Sequence, residues 1–149
     1  RFIRESVEAD IVRLAAACAR QAQHEALFDQ IARQEAEADP AALAQLDEEF
    51  HATLAAIAGK ARVWNHLQQM KMHLDRARHL LTAMTPKDIM LSQHRAVTEA
   101  IAARDPDRAE AAIRQHLRRV LLDLPGVLRL SPDYFTRTDT LAETLAAEA

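Results

Sequence analysis

Asp39-Pro40-Ala41-Ala42-Leu43-Ala44-Gln45-Leu46-Asp47-Glu48-Glu49-Phe50-His51-Ala52-Thr53-Leu54-Ala55-Ala56-Ile57-Ala58-Gly59 reads as a helix that marks both of its ends. Asp39 is a good N-cap, Pro40 suits the first helical position because its missing N–H is not needed there, and Gly59 suits the stop. Leu43, Leu46, Phe50, Leu54 and Ile57 recur at helical spacing and predict the buried stripe. Asp47 and His51 lie one residue off that stripe and one turn apart on the same face. A carboxylate and an imidazole so placed face an inner cavity without entering a dry core.

The same pattern extends along the chain in both directions. With 49% hydrophobic and 4% aromatic residues and 2 Gly in 149 residues, there is little material for strands or hairpin turns. Ile3, Val7, Ile11, Leu14 and Cys18 predict a helix over about 1–20, with Cys18 as a small core residue. Leu27, Phe28 and Ile31 predict a shorter one over 22–38. A fourth helix is expected from about Arg62 to Ala83, with Val63, Leu67, Met70, Leu74 and Leu81 inward. Trp64, His66, His73, Arg76, Arg78 and His79 are spread over its other surfaces. Thr85-Pro86 opens a fifth helix carrying Met90, His94, Val97 and Ile101. Asp105-Pro106 opens a sixth carrying Ala109, Ile113, His116, Val120 and Leu124, with Pro125-Gly126 as its expected end. The fold class is therefore all-α, a single antiparallel bundle of about six to seven helices around a central cavity. Residues 1–130 form the domain, and 131–149, opening on Ser131-Pro132-Asp133, form a weakly patterned tail.

Charge and cysteine content narrow the function classes. Nineteen basic and 22 acidic residues give a net charge of -3 with no basic stripe, so this segment does not grip nucleic acid by itself. One cysteine permits no internal disulfide, and no apolar run is long enough to span a bilayer. Both features suit a cytoplasmic protein that does not engage the membrane. The chain begins at Arg1, already inside a helical pattern, as expected of a piece of something longer.

His94 lies 11 residues before Asp105 and His116 lies 11 after it. In an antiparallel hairpin both imidazoles sit about 16 Å from the turn, at equal depth and on apolar stripes. With Asp47 and His51 they make a ligand set suited to a divalent first-row metal. Spacing leaves alternatives open. Each histidine also fits as a core residue bonded to a carbonyl, and a hairpin at Gly59 brings His66 level with His51, with His73 as a further candidate. Arg4 and Glu8, one turn apart, read by themselves as an exposed ion pair. Arg78, four residues past Leu74, either snorkels at the surface or points a donor into the cavity. A helical-bundle metalloenzyme is the competing class, with Glu48 or Glu49 as general base of a mononuclear hydrolase. The di-iron type needs paired Glu-x-x-His motifs, and the residues three before His94 and His116 are Leu91 and Ile113. A purely structural dimerisation bundle leaves those two histidines without a shared purpose.

Ile3-Arg4 to Glu8, Val12 with Leu14-Ala15-Ala16, Asp47-x-x-Phe50-His51, Ala58-Gly59, His94 with Ala100-Ile101, Asp105-x2-Arg108-Ala109 and His116-Leu117 together resemble the effector-binding (FCD) domain of FadR-type GntR family transcription regulators. The similarity covers about residues 1–124. It implies an all-α bundle behind an N-terminal winged helix-turn-helix that this chain lacks, through which alone DNA would be bound, in a homodimer. It implies one divalent ion, Zn, Ni or Mn, on Asp47, His51, His94 and His116, which selects these over His66 and His73. It implies Arg4 as the contact to the carboxylate of a small organic or sugar acid, and a sensor instead of an enzyme. Lys60 departs from the family's usual Ala-Gly-Asn, which concerns only the helix end.

Overall fold

In the computed structural model the described residues are 2–71 and 86–130. They form six helices: α1 Phe2–Cys18, α2 Gln21–Ala36, α3 Pro40–Ile57, α4 Ala61–Lys71, α5 Lys87–Ala102 and α6 Pro106–Leu130. No strand occurs among them. The all-α bundle expected from the composition is the fold observed. None of these helices is long and apolar enough to cross a membrane.

Side-chain pairs give the directions of the helices. Gln30 to Thr53 and Gln34 to Leu46 set α2 antiparallel to α3. Arg13 to Asp107 and Arg118 to Glu5 set α1 antiparallel to α6. Gln34 to His94 and Arg104 to Ala19 set α2 antiparallel to α5. The α5–α6 hairpin closes at Asp105, whose carboxylate accepts from the Arg108 N–H.

The helix ends follow their chemistry. Asp39 accepts from the Ala42 N–H and Pro40 stands at the first helical position of α3. At the other end Gly59 has φ +69, and Lys60 and Gly59 donate to Ala55 and Ala56 carbonyls, closing a Schellman turn. Arg104 makes the same turn after α5 at φ 55 without being glycine. Pro86 caps α5 rather than standing inside it, and Thr85 lies outside the described residues. Pro125-Gly126 does not end α6, which continues to Leu130. A proline removes one ladder bond and costs about 3 kcal/mol, and it does not forbid a helix whose other turns are well supported.

The core corrects three of the predicted stripes. In α1 the buried face is Ala9, Ile11, Val12, Ala15 and Ala16, with Ala19 beyond its end; of the predicted stripe Ile11 is buried and Val7 half-buried, while Ile3 and Leu14 are exposed at 48% and 43%. Cys18 is also exposed, with its thiol near the Ile57 carbonyl. The reason is crowding: α1 packs against α3, α5 and α6, and the face with the smallest side chains admits three neighbours. Phe28 is likewise exposed while Leu27 and Ile31 are buried. In α4 Val63 is exposed and Trp64 buried. Both are in register with Leu67, and burial favours the larger apolar surface. The predicted extension of this helix to Ala83, including His73, Arg78 and His79, and the tail 131–149 lie outside the described residues.

Candidate metal centre

Four helices' worth of side chains meet at mid-height of the bundle. α3 supplies Asp47 and His51 from one face, α5 supplies His94 and α6 His116, while Arg4 and Glu8 of α1 adjoin them. One ligand atom from each of Asp47, His51, His94 and His116 can be chosen so that all lie within 4.8 Å of one another. His51 Nε2 is 3.2 Å from His116 Nε2. Asp47 Oδ1 is 3.3 Å from His94 Nε2, 3.8 Å from His51 Nε2 and 4.0 Å from His116 Nε2. Donors held about 2.0–2.2 Å from a common ion stand roughly 3.0–4.4 Å apart, so the cluster has the right scale.

Proton placement makes the stronger test of fit. Gln34 is fully buried, and its amide N–H donates to the Leu46 carbonyl at 3.0 Å, which turns its Oε1 toward His94 Nδ1 at 2.9 Å. That oxygen only accepts, so His94 carries its proton on Nδ1 and offers a lone pair at Nε2. The lone pair faces Asp47 Oδ1, another acceptor, and His94 Nε2 has no hydrogen-bond partner although fully buried. Two acceptors opposed at 3.3 Å in a buried site are unfavourable unless a proton or a metal cation lies between them. His116 repeats the arrangement, with Nδ1 3.1 Å from Gln93 Oε1. His51 Nδ1 lies 2.5 Å from Glu8 Oε2, a close contact whose N–H is off the line of a good hydrogen bond. Each imidazole thus meets an oxygen at Nδ1 and turns Nε2 inward, the arrangement that orients metal-binding histidines.

Burial favours the neutral form of two of the three histidines. Burial pushes His94 below the ordinary imidazole value against the pull of Asp47, and pushes His116 further down, with His94 and His51 adding to it. Burial by itself raises the Glu8 carboxyl, but His51 and Arg4 outweigh it and hold Glu8 below the usual carboxylate range. Arg4 is held charged in the same way, burial opposing and Glu8 and Asp47 prevailing. The Arg4–Glu8 pair is therefore a buried feature of the pocket wall, not an exposed surface pair. Arg4 Nη2 is buried without a hydrogen-bond partner, and the guanidinium carbon stands 6.0 Å from the Trp64 ring centroid.

Of the residues singled out from sequence, Asp47, His51, His94 and His116 are brought together and Arg4 adjoins them. His66 is exposed and stands apart; Arg78 and His73 lie outside the described residues. Glu48 receives the Gln68 amide of α4 at 2.5 Å and Glu49 pairs with Arg33 of α2 at 3.2 Å, so both candidate general bases have partners outside the four-residue cluster. Gln34, Gln93 and Trp64 were not legible as site residues. Gln34 had a faint signal, since it follows Leu27 and Ile31 at helical spacing on the apolar face of α2.

The FCD domain pattern matches residues 2–119. The chain is 37% identical over 91 residues to an uncharacterized HTH-type transcriptional regulator in an unstable DNA locus of Streptomyces ambofaciens, a match covering 60% of this chain and 39% of that protein. It is 27% identical over 139 residues to the HTH-type transcriptional repressor RspR of Escherichia coli (strain K12), covering 91% of this chain and 61% of that one. The matches thus span between about two fifths and three fifths of these relatives' length.

Proposed function

The chain belongs to the FCD domain family, and from that premise we propose that it is the metal-dependent, small-carboxylate-sensing part of a bacterial, cytoplasmic HTH-type transcription regulator. Asp47, His51, His94 and His116 hold one divalent ion, Zn, Ni or Mn. DNA is bound by a domain outside this chain, in a homodimer. The observation that carries the reading is the opposed pair of acceptors, His94 Nε2 and Asp47 Oδ1, with Gln34 fixing the histidine tautomer.

When bound, a divalent ion supplies a Lewis-acidic anchor for an anionic oxygen and a net positive charge against three neutral imidazoles and one carboxylate. The protein's own residues do the rest. Arg4 presents its unpartnered Nη2 at the wall of the pocket, where a carboxylate can take it up by charge-assisted hydrogen bonds. Trp64 backs both Arg4 and His51, the latter by stacking at 5.8 Å between ring centroids. A ligand gripped by Arg4 on one side and the α3, α5 and α6 residues on the other ties α1 to the rest of the bundle. It shifts the regulator only to the extent that it binds one arrangement of α1 better than another. Arg78 is proposed as a further donor to the same ligand.

Elemental analysis of the purified chain is expected to find one metal per chain, and His116→Ala to abolish it. A wild-type protein without metal after reconstitution contradicts the reading. Arg4→Ala is expected to keep the metal and to lose the thermal shift given by carboxylates and sugar acids. Turnover of a small ester or acid at a rate lost with the metal favours the hydrolase instead.

A further inference from the structure

Glu8 is 2% exposed and has a different partner at each oxygen. Oε1 accepts from Arg4 Nε, one helical turn earlier on α1. Oε2 stands against His51 Nδ1, and the far nitrogen of that ring, Nε2, is the one turned into the cluster. A single carboxylate thus lies between an imidazole of the cation site and the guanidinium whose Nη2 is free for an anion. We propose, building on the function given above, that Glu8 is a positioning residue through which the cation site and the anion-binding end of Arg4 sense one another.

The charge of Glu8 against Nδ1 favours the His51 tautomer with its proton there, which leaves Nε2 a lone pair and makes that lone pair more basic. The same charge holds Arg4 by Nε, leaving Nη2 aimed at the pocket. With His51 holding a cation, its N–H would be the more acidic, and Glu8 would lean toward it and loosen its hold on Arg4. Metal and carboxylate ligand are then coupled although Arg4 has no part in coordinating the ion, and the coupling is reciprocal. An arginine acting only by through-space charge would repel the ion equally whatever stood at position 8.

The test uses zinc alone as probe, by calorimetric titration of the full 149-residue chain in four forms: wild type, Glu8→Gln, Arg4→Met and the double variant. Glu8→Gln is expected to weaken zinc binding about 10- to 100-fold. Arg4→Met is expected to tighten it with Glu8 present, and to change it measurably less with Gln at position 8. Equal effects of Arg4→Met in both backgrounds, or Glu8→Gln binding like wild type, overturn the inference. If Glu8→Gln does not fold, the wild type decides by NMR: the Arg4 Nε–H signal moves on adding zinc, and a signal that stays in place overturns the inference. A wild type that takes up no zinc, nickel or manganese sinks the sensor reading, and this inference with it. Normal uptake with additive variants sinks this inference alone.

Discussion

Gln34 serves two partners with one amide. Its N–H₂ meets the Leu46 carbonyl and its oxygen meets His94 Nδ1, so a residue that binds no ion decides which nitrogen of His94 faces the pocket. Gln34→Leu is expected to lower zinc affinity about 10- to 100-fold. It also leaves the buried His94 N–H unpaired, a loss of about 1–3 kcal/mol of stability measurable by chemical denaturation. Metal binding at wild-type strength in this variant would show that the tautomer is set elsewhere. Helical periods made the four residues of the cluster candidates, Asp47 and His51 sharing a face and His94 and His116 matching across Asp105, but left His66 and His73 open, and the family resemblance chose among them. Gln34 and Gln93 were not legible, since an amide contacting a ring on another helix leaves no spacing signature in its own. Glu8 was visible only as Arg4's neighbour, because its second partner, His51, is 43 positions away.

Helix ends are local chemistry, and the sequence was a good guide at α3 though not at Pro125-Gly126, through which α6 continues. The Asp39 cap and the Gly59 stop hold as read. A Cβ at Gly59 would meet nothing within 4 Å, so Gly59→Ala is expected to cost about 1–2 kcal/mol through backbone conformation alone, seen as a melting point a few degrees lower. A much larger loss would mean that the turn also carries packing. Helix faces were read less well. The first helix offers two apolar faces, one of large residues and one of alanines, and periodicity alone ranks the larger side chains first. Packing took the alanines together with Ile11 and Val12 and left Ile3 and Leu14 outside, because α6, α3 and α5 all crowd against α1. The charged side of the same helix is not idle: Glu5, nearly buried, receives Arg114 at 3.1 Å and Arg118 at 2.6 Å from α6. That clamp fixes α1 along α6, next to the turn carrying Arg4 and Glu8.

For the molecule as a whole, burying three imidazoles and two carboxylates around one point makes stability depend on pH. His94 and His116 titrate lower in the fold than the ordinary value of 6.5. Below about pH 6.5 the unfolded chain therefore takes up protons that the folded chain refuses. Their contribution is intact above that pH and declines as pH falls, by up to about 1.4 kcal/mol per pH unit for each histidine. Glu8, held below the carboxylate range, adds a loss in the same direction at lower pH. Chelator-treated protein is thus expected to melt at a clearly lower temperature at pH 5.5 than at pH 7.5, and a flat profile would argue against neutral buried histidines. Zinc at 100 times its dissociation constant is expected to add about 2.7 kcal/mol at pH 7.5, and less in acid, where the ligands must first lose protons.

By itself the sequence determined the all-helical class, both ends of α3, the one-turn pairing of Asp47 with His51 and the matched depth of His94 and His116. All of these follow from rules acting over a few residues or across a single tight turn. The tertiary structure alone decided that α1 turns its alanines inward, that Trp64 rather than Val63 is buried, and that Gln34, Gln93 and Glu8 stand behind the three imidazoles. Those choices depend on which helices share a boundary and how much room each leaves, and competition for a common interior is not written into the spacing of any one helix.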